Sequence, residues 1–109
     1  MSSKPVVLRE RARRDIDRAV EHYLAEASPA VAMAFLDAVE EAHRLIGEQP
    51  AAGSPRYAHE LDLPGLRTRL VRKFPYLIFY VEQATEVDVW RVLHGARDVP
   101  AWLQEPLDD

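Results

Sequence analysis

The chain has no cysteine, only two lysines and no long apolar run. Without cysteine it can form no disulfide framework, no thiolate zinc site and no cysteine nucleophile. The longest purely apolar runs, Ala30 to Leu36 and Tyr76 to Val81, are far too short to span a bilayer. The first residues have no long apolar segment before the charged positions begin. We therefore expect no secretory signal, no membrane association and a cytoplasmic location.

Basic residues do not outnumber acidic ones, and this limits the kinds of partner the chain can bind. The 109 residues carry 14 Lys and Arg against 18 Asp and Glu, a net charge of −4. General nucleic-acid binders usually have a basic footprint, so we expect no broad DNA- or RNA-binding surface. A local basic patch on an acidic body remains compatible with this balance. The length predicts one domain over residues 1–109.

Two amphipathic helices are predicted in the first half of the chain. From Glu10 to Ala27 apolar residues recur at spacings of three and four, and charged residues, including Asp15, occupy a face predicted to be solvated. Ser28 is a predicted N-cap before a second helix from Pro29 to Gly47. The joint between the helices is short, so we predict an antiparallel helical hairpin.

The remaining patterns predict strands. Val6 to Arg9 is a short apolar run after a proline, and Tyr76–Glu82 and Val87–His94 are rich in β-branched and aromatic residues. Leu66 to Phe74 alternates between apolar and basic positions, which predicts a strand with one solvated face. With a short helical turn in Ala96–Leu103, the order is β-α-α-β-β-β. The predicted class is α+β, with the N-terminal strand and the hairpin packed on a small antiparallel sheet.

Two details complete the structural prediction. Gln49 to Pro64 contains several prolines and a glycine, which predicts an irregular loop with at most a helical turn near Tyr57–Leu61. In the last strand, simple alternation predicts that Trp90 and Arg91 point to opposite sides of the sheet.

Motifs for cofactors are missing as well. The sequence has neither a P-loop nor G-x-G-x-x-G, so a nucleotide cofactor has no recognisable cradle. His22, Glu26 and His43 do not have the spacing of a known metal motif, and we interpret them as solvated side chains. We predict no catalytic residues, no metal and no cofactor.

Arginines are the stronger signal. Arg67, Arg69, Arg91 and Arg97, with His94 nearby, converge if the strands that carry them lie close across the sheet. A guanidinium pairs with phosphate or with carboxylate through two parallel hydrogen bonds. Three interpretations follow from the pattern: a phosphate-clamping site that cleaves RNA, a surface for an acidic protein partner, or solubilising charge.

Three segments carry a family resemblance: ARRDIDRAVEHYL in the first helix, LPGLRTRLVRKFPYLIFY across two strands, and VWRVLHGARD near the end. With these segments in this order, the chain resembles the ParE toxins of bacterial toxin–antitoxin modules, within the RelE/ParE superfamily. The resemblance covers about Val6 to Leu103. It implies the same β-α-α-β-β-β fold and a small toxin held inactive by an antitoxin encoded beside it.

The resemblance also implies two possible targets. ParE-like members are associated with poisoning of DNA gyrase, whereas RelE-like members cut messenger RNA on the ribosome. No tyrosine follows Arg97, lysine is scarce and the net charge is acidic, so we prefer the gyrase inhibitor. We expect a ParD-like antitoxin partner, and DNA binding only through that antitoxin. The predicted binding residues are Arg67, Arg69, Arg91, His94 and Arg97. The alternatives are an RNA-cutting toxin and a non-toxic co-repressor.

Overall fold

A helical hairpin lies against a four-stranded sheet in the computed structural model, which describes residues 3–102. The predicted order β-α-α-β-β-β and the short C-terminal helix are confirmed, although Leu103 lies outside the described residues. The elements are β1 Val6–Leu8, α1 Glu10–Glu26, α2 Pro29–Glu48, β2 Leu66–Leu70, β3 Tyr76–Glu82, β4 Val87–His94 and α3 Val99–Trp102.

The sheet has the strand order β1-β4-β3-β2. β2, β3 and β4 form the predicted antiparallel meander, while β1 pairs in parallel with the first half of β4. That pairing stops where Leu8 lies beside Val89, so no strand among residues 3–102 lies next to the second half of β4 on that side. This open stretch of the β4 edge is where much of the site is built.

The hairpin begins and turns as the sequence predicts. Ser28 caps α2, because its Oγ accepts a hydrogen bond of 3.2 Å from the backbone N–H of Val31. Pro29 follows at the first helical position, where its fixed φ suits the helix and its missing N–H costs nothing. Within residues 3–102, no helix is both long enough and apolar enough to cross a membrane.

The main core lies between the hairpin and the sheet. Its centre is aromatic: Phe35 of α2 stacks edge-on against Phe74 and Tyr76, with ring centroids 5.3 and 5.1 Å apart. Such tilted pairs add about 0.5–1.5 kcal/mol each beyond area burial. Around them pack small and aliphatic residues of both layers: Ala12, Ala19, Val39, Ala42, Ile46, Val71, Ile78, Val87, Val89 and Val92.

A second, smaller core covers the opposite face of the sheet. Phe79 of β3 packs against Trp102 of α3, with ring centroids 4.7 Å apart, and against Tyr57 of the long loop. The irregular segment before β2 is therefore a packing element. The turn predicted at Tyr57–Leu61 is present as one hydrogen bond of 3.1 Å from the Leu61 amide to the Tyr57 carbonyl. The one short helix in this loop is instead a 3₁₀ turn at Pro50–Ala52.

One predicted strand end is corrected, and a bulge not predicted from the sequence is found in another strand. β2 ends at Leu70 rather than Phe74, because the chain turns back through a tight loop in which Lys73 adopts φ 70°. In β4 a bulge interrupts the ladder: Phe79 lies opposite Arg91 and Tyr80 opposite Val89, so Trp90 has no partner of its own. A bulge breaks the period of two. The alternation expected for Trp90 and Arg91 therefore does not apply.

His43 was predicted to be a solvated side chain, and that prediction is wrong, because its ring is partly buried. Its Nε2 is buried without a hydrogen-bond partner among residues 3–102, and Lys4, Glu40 and Arg44 line the same depression. Burial lowers the pKa of His43 below its ordinary value of about 6.5. The unfolded chain therefore binds a proton at this site more readily than the folded chain.

This linkage predicts that folding stability falls as the pH drops below the unfolded value of about 6.5. Replacing His43 by leucine should flatten the pH dependence of the unfolding free energy between about pH 7 and about pH 5. His59→Leu is the matched control, since His59 is exposed. Urea unfolding at a series of pH values measures both. Equal pH dependence in the two variants would contradict the assignment.

Candidate functional site

The five residues predicted to bind a partner fall in two separate places. Arg67 and Arg69 lie on β2, whereas Arg91 and His94 lie on β4 and Arg97 follows it. β3 stands between β2 and β4 in the sheet. The four arginines therefore do not converge: Arg91 and Arg97 come together at one end, and Arg67 and Arg69 stay at the other edge.

Arg91 is buried in an ion pair with Asp15 of α1. Its Nε and Nη2 donate to the two carboxylate oxygens at 2.8 and 3.0 Å, and the residues are only 9% and 7% exposed. The same carboxylate accepts the backbone N–H of Val92 at 3.0 Å. Burying two charges costs several kcal/mol, and this is offset only where pairing and further hydrogen bonds are good.

Asp15 was expected on the solvated face of the first helix, and that prediction is wrong. It lies three residues after Ala12 and four before Ala19, both buried, and thus on the same face of α1. A polar residue at such a position is a usable signal of a buried pair. Its partner is not readable from the sequence, because Arg91 is 76 residues away.

The β4 edge beyond β1 is closed by carboxylates. Asp15 accepts the N–H of Val92, and Asp98 accepts the N–H of His94 at 3.1 Å. Each of these acids also holds an arginine, since Asp98 accepts a 3.1 Å hydrogen bond from Nε of Arg97. Two side chains thus supply the acceptors that a fifth strand would have supplied.

Arg97 is the accessible member of this end of the sheet. Its side chain is 52% exposed, and its Nη2 donates to the Tyr76 hydroxyl at 3.1 Å. Partial burial raises the pKa of Asp98, but the hydrogen bonds from Arg97 and the His94 amide outweigh it. The pKa of Asp98 therefore lies below its ordinary value. Asp98 stays ionised and keeps Arg97 oriented.

His94 is fixed by the backbone that follows it. Its Nδ1 accepts hydrogen bonds from the amides of Ala96 and Arg97 at 3.2 and 3.0 Å, and its ring lies edge-on to Tyr76. A neutral imidazole that accepts at Nδ1 carries its proton on Nε2. A neutral His94 in this arrangement therefore has a donor at Nε2 and no ring nitrogen left to accept a proton.

A cavity of about 310 Å³ lies beside these residues, between α1, the end of β4 and α3. Three guanidinium groups line it, those of Arg18, Arg91 and Arg97. Arg18 is exposed and belongs to the charged face of α1 that the sequence predicts to be solvated. That Arg18 lines this cavity follows from how α1 lies on the sheet, which the sequence pattern does not give. The cavity suits a carboxylate or another oxyanion, but Asp15 and Asp98 already neutralise two of the three cations.

At the other edge, Arg67 and Arg69 lie on the side of the sheet that the helices cover. They pair with Tyr80 and Ile78, which belong to the main core. The predicted apolar positions Leu66 and Thr68 are buried against the second core instead. The expectation that the basic positions form a fully solvated face is therefore wrong, since both arginines are half-buried.

These two arginines differ in their contacts. Nη1 of Arg67 donates to the Gly53 carbonyl at 2.8 Å, which ties the loop to β2. Arg69 makes no such bond within residues 3–102, and it contributes with Arg72 to lowering the pKa of Glu41, after the dominant hydrogen bond from Arg44. Within the same range, no three His, Asp or Glu side chains lie close enough to hold a metal ion.

Replacing Asp15 by alanine should destabilise the fold by about 3–5 kcal/mol, since the Arg91 charge would remain buried without its carboxylate. Asp17→Ala, at an exposed position of the same helix, is the control and should change stability by less than about 0.5 kcal/mol. Chemical unfolding of both variants measures the difference. A similar loss in both would show that the buried pair does not support the fold.

Comparison with known proteins gives the family. Residues 6–99 match the family model described as ParE toxin of type II toxin–antitoxin system, parDE. No curated protein matches the chain. A solved structure described as "Chromosomal ParDE TA system from P. aeruginosa" is 18% identical with a TM-score of 0.71, over 84% of this chain and 96% of that one. The structural likeness supports the fold, and the family match assigns the chain: it belongs to the ParE toxin family of type II toxin–antitoxin systems.

Proposed function

We propose that this protein inhibits DNA gyrase and is neutralised by direct binding of a cognate ParD-like antitoxin. The observation that carries the proposal is the family match over residues 6–99, which includes all five predicted binding residues. Under this proposal the protein acts by binding and without catalysis. It needs no metal or cofactor, and it meets DNA only through its antitoxin.

The contacts of the candidate residues favour binding over RNA cleavage. Cleavage at a 2′-hydroxyl requires a base to remove a proton and cations to stabilise the transition state. His94 presents a donor, because its Nδ1 already accepts two amides. Arg91 is held in the protein by Asp15. The RNA-cutting alternative would use Arg67, Arg91, His94 and Arg97. The surroundings of Arg91 and His94 suit structural roles instead.

The partner expected from this chemistry is acidic. Arg97 offers an exposed guanidinium that is already oriented by Asp98 and Tyr76. A disordered acidic tail that folds on the toxin surface is an established mode of recognition. A gene beside this one should therefore encode a DNA-binding head followed by an acidic amphipathic tail.

Induction of the chain alone should arrest growth, and co-induction of the neighbouring gene should restore it. Purified protein should inhibit supercoiling by gyrase, with the purified neighbour product reversing the effect. Primer extension on translated messages tests the alternative, because discrete cuts with unaffected gyrase would identify an RNA-cutting toxin. Normal growth after induction alone would identify a non-toxic co-repressor instead.

Charge reversal at Arg97 should weaken antitoxin binding by about 2 kcal/mol or more if the pair it forms is buried in the complex. Arg97→Glu is preferred over the corresponding Arg91 variant, since Arg91 supports the fold through Asp15. Arg13→Glu, at an exposed position of α1, is the control. Titration calorimetry with the neighbour product measures both, alongside thermal unfolding. Unchanged affinity in Arg97→Glu would make Arg97 solubilising charge only.

A further inference from the structure

The cavity between α1, the end of β4 and α3, which we call the Arg91–Arg97 cavity, has hydrogen-bonding groups that the contacts described above do not use. Its volume is about 310 Å³. This lies at the lower end of the range of about 300–1,000 Å³ that is typical of small-molecule sites. A ligand that fits it is therefore small, and the side chains of the lining determine its chemical class.

The acceptors of the cavity are already engaged. Both carboxylate oxygens of Asp15 accept hydrogen bonds from the Arg91 guanidinium, and one of them also accepts a backbone amide of β4. One oxygen of Asp98 accepts from Arg97 at 3.1 Å, and the other accepts a second β4 amide at 3.1 Å. A ligand that donates hydrogen bonds therefore meets carboxylates whose oxygens all have donors already.

Three side chains bring donors to the same cavity from three parts of the fold. Arg97 uses Nε on Asp98 and Nη2 on the Tyr76 hydroxyl, while its Nη1 makes no hydrogen bond among residues 3–102. The Tyr76 hydroxyl accepts that bond, and its own hydrogen has no acceptor in the same part of the chain. Within these residues Arg18 makes neither a hydrogen bond nor an ion pair. The unused capacity of the cavity therefore consists of donors.

The charge of the cavity also suits an anion. Three guanidinium groups and two carboxylates line it, which leaves an excess of one positive charge. The pair of Arg91 and Asp15 is buried, whereas Arg18 and Arg97 are exposed. The positive excess therefore lies on the exposed side of the cavity, where a ligand from solution arrives first.

A phosphomonoester matches this arrangement better than a carboxylate does. At pH 7 it carries a charge of about −1.5 to −2 and three strong acceptor oxygens, whereas a carboxylate has one charge and two oxygens. Guanidinium groups pair with phosphate through parallel hydrogen bonds, and the tyrosine hydroxyl adds a donor from a different direction. The apolar part of the lining, formed by Ala19, Ala101 and Trp102, is available to the organic group of the ester.

We propose that the Arg91–Arg97 cavity binds a small phosphomonoester, with its terminal oxygens on Arg18, Arg97 and the Tyr76 hydroxyl. The site binds this ligand without making or breaking a covalent bond. The proposal goes beyond the proposed function, because it requires neither the antitoxin nor gyrase. Arg97 also belongs to the predicted partner surface, so a bound phosphate and an acidic partner compete for the same guanidinium.

Four probes at constant ionic strength distinguish the possible ligand classes: methyl phosphate, inorganic phosphate, dimethyl phosphate and acetate. Binding is measured from amide chemical shifts in the NMR spectrum of the full chain. Methyl phosphate should bind at least as tightly as inorganic phosphate and should shift the amides of Ala19, Val92 and Ala101, which line the cavity. Dimethyl phosphate and acetate, each with one charge, should bind on the order of tenfold more weakly.

Two variants test the donors. Arg18→Gln removes the excess positive charge and should weaken methyl phosphate binding on the order of tenfold. Arg13→Gln is the matched control, because Arg13 is exposed on the same helix and does not line the cavity, and it should bind as the wild type does. Tyr76→Phe removes only a hydroxyl and should weaken binding several-fold. Thermal unfolding establishes that each variant is folded.

Each other outcome overturns the assignment in a defined way. Equal affinity for dimethyl and methyl phosphate would assign the cavity to a phosphodiester, as in a nucleic-acid backbone. Acetate bound as tightly as methyl phosphate would assign it to a carboxylate, and inorganic phosphate bound more tightly would assign it to the free ion. Equal losses in Arg18→Gln and Arg13→Gln would reduce the effect to general attraction of anions by α1. Absence of binding by the wild type would overturn the site and leave the proposed function intact.

Discussion

One carboxylate, that of Asp15, joins the two layers of the protein. It accepts three hydrogen bonds, two from the Arg91 guanidinium and one from the Val92 amide. The helix and the sheet meet there at a buried polar contact beside the main apolar core. Such a contact fixes the helix in one position along the strand, because any slip would leave a charge and an amide without partners. The position of the Arg91–Arg97 cavity follows from that alignment.

The arginines of the sheet and its flanks differ in their contacts. Arg91 donates hydrogen bonds to Asp15, and Arg67 donates one to the Gly53 carbonyl, so both stabilise the protein from within. Arg97 is oriented yet exposed. Arg69 and Arg72 have close apolar neighbours but no hydrogen-bond partners within residues 3–102. The residue type alone does not distinguish an arginine with a structural role from one that binds a partner. Its burial and its existing hydrogen bonds do distinguish the two.

Local patterns predicted the elements well, and tertiary contacts explain what they missed. The periods of 3.6 and 2 and the Ser28 cap are properties of neighbouring residues, so the helices and the meander were readable from the sequence. The ion pair between Asp15 and Arg91 joins residues far apart in the sequence, and the bulge at Trp90 depends on how β4 pairs with β3. Neither can be read from neighbouring residues. The solvated face predicted for Arg67 was wrong as well, since the burial of that face depends on how the helices lie on the sheet. The resemblance to ParE toxins was confirmed by the family match.

The carboxylates along β4 have a consequence for how copies of this chain meet each other. An unpaired strand edge is a template for pairing with another molecule and thus for aggregation. Asp15 and Asp98 occupy the amides of Val92 and His94, and Ser54 occupies Thr68 on the far edge. β1, the remaining edge strand, is only three residues long. Within residues 3–102 these contacts therefore occupy edge amides that a second copy could otherwise pair with, which disfavours edge-to-edge association of the chain.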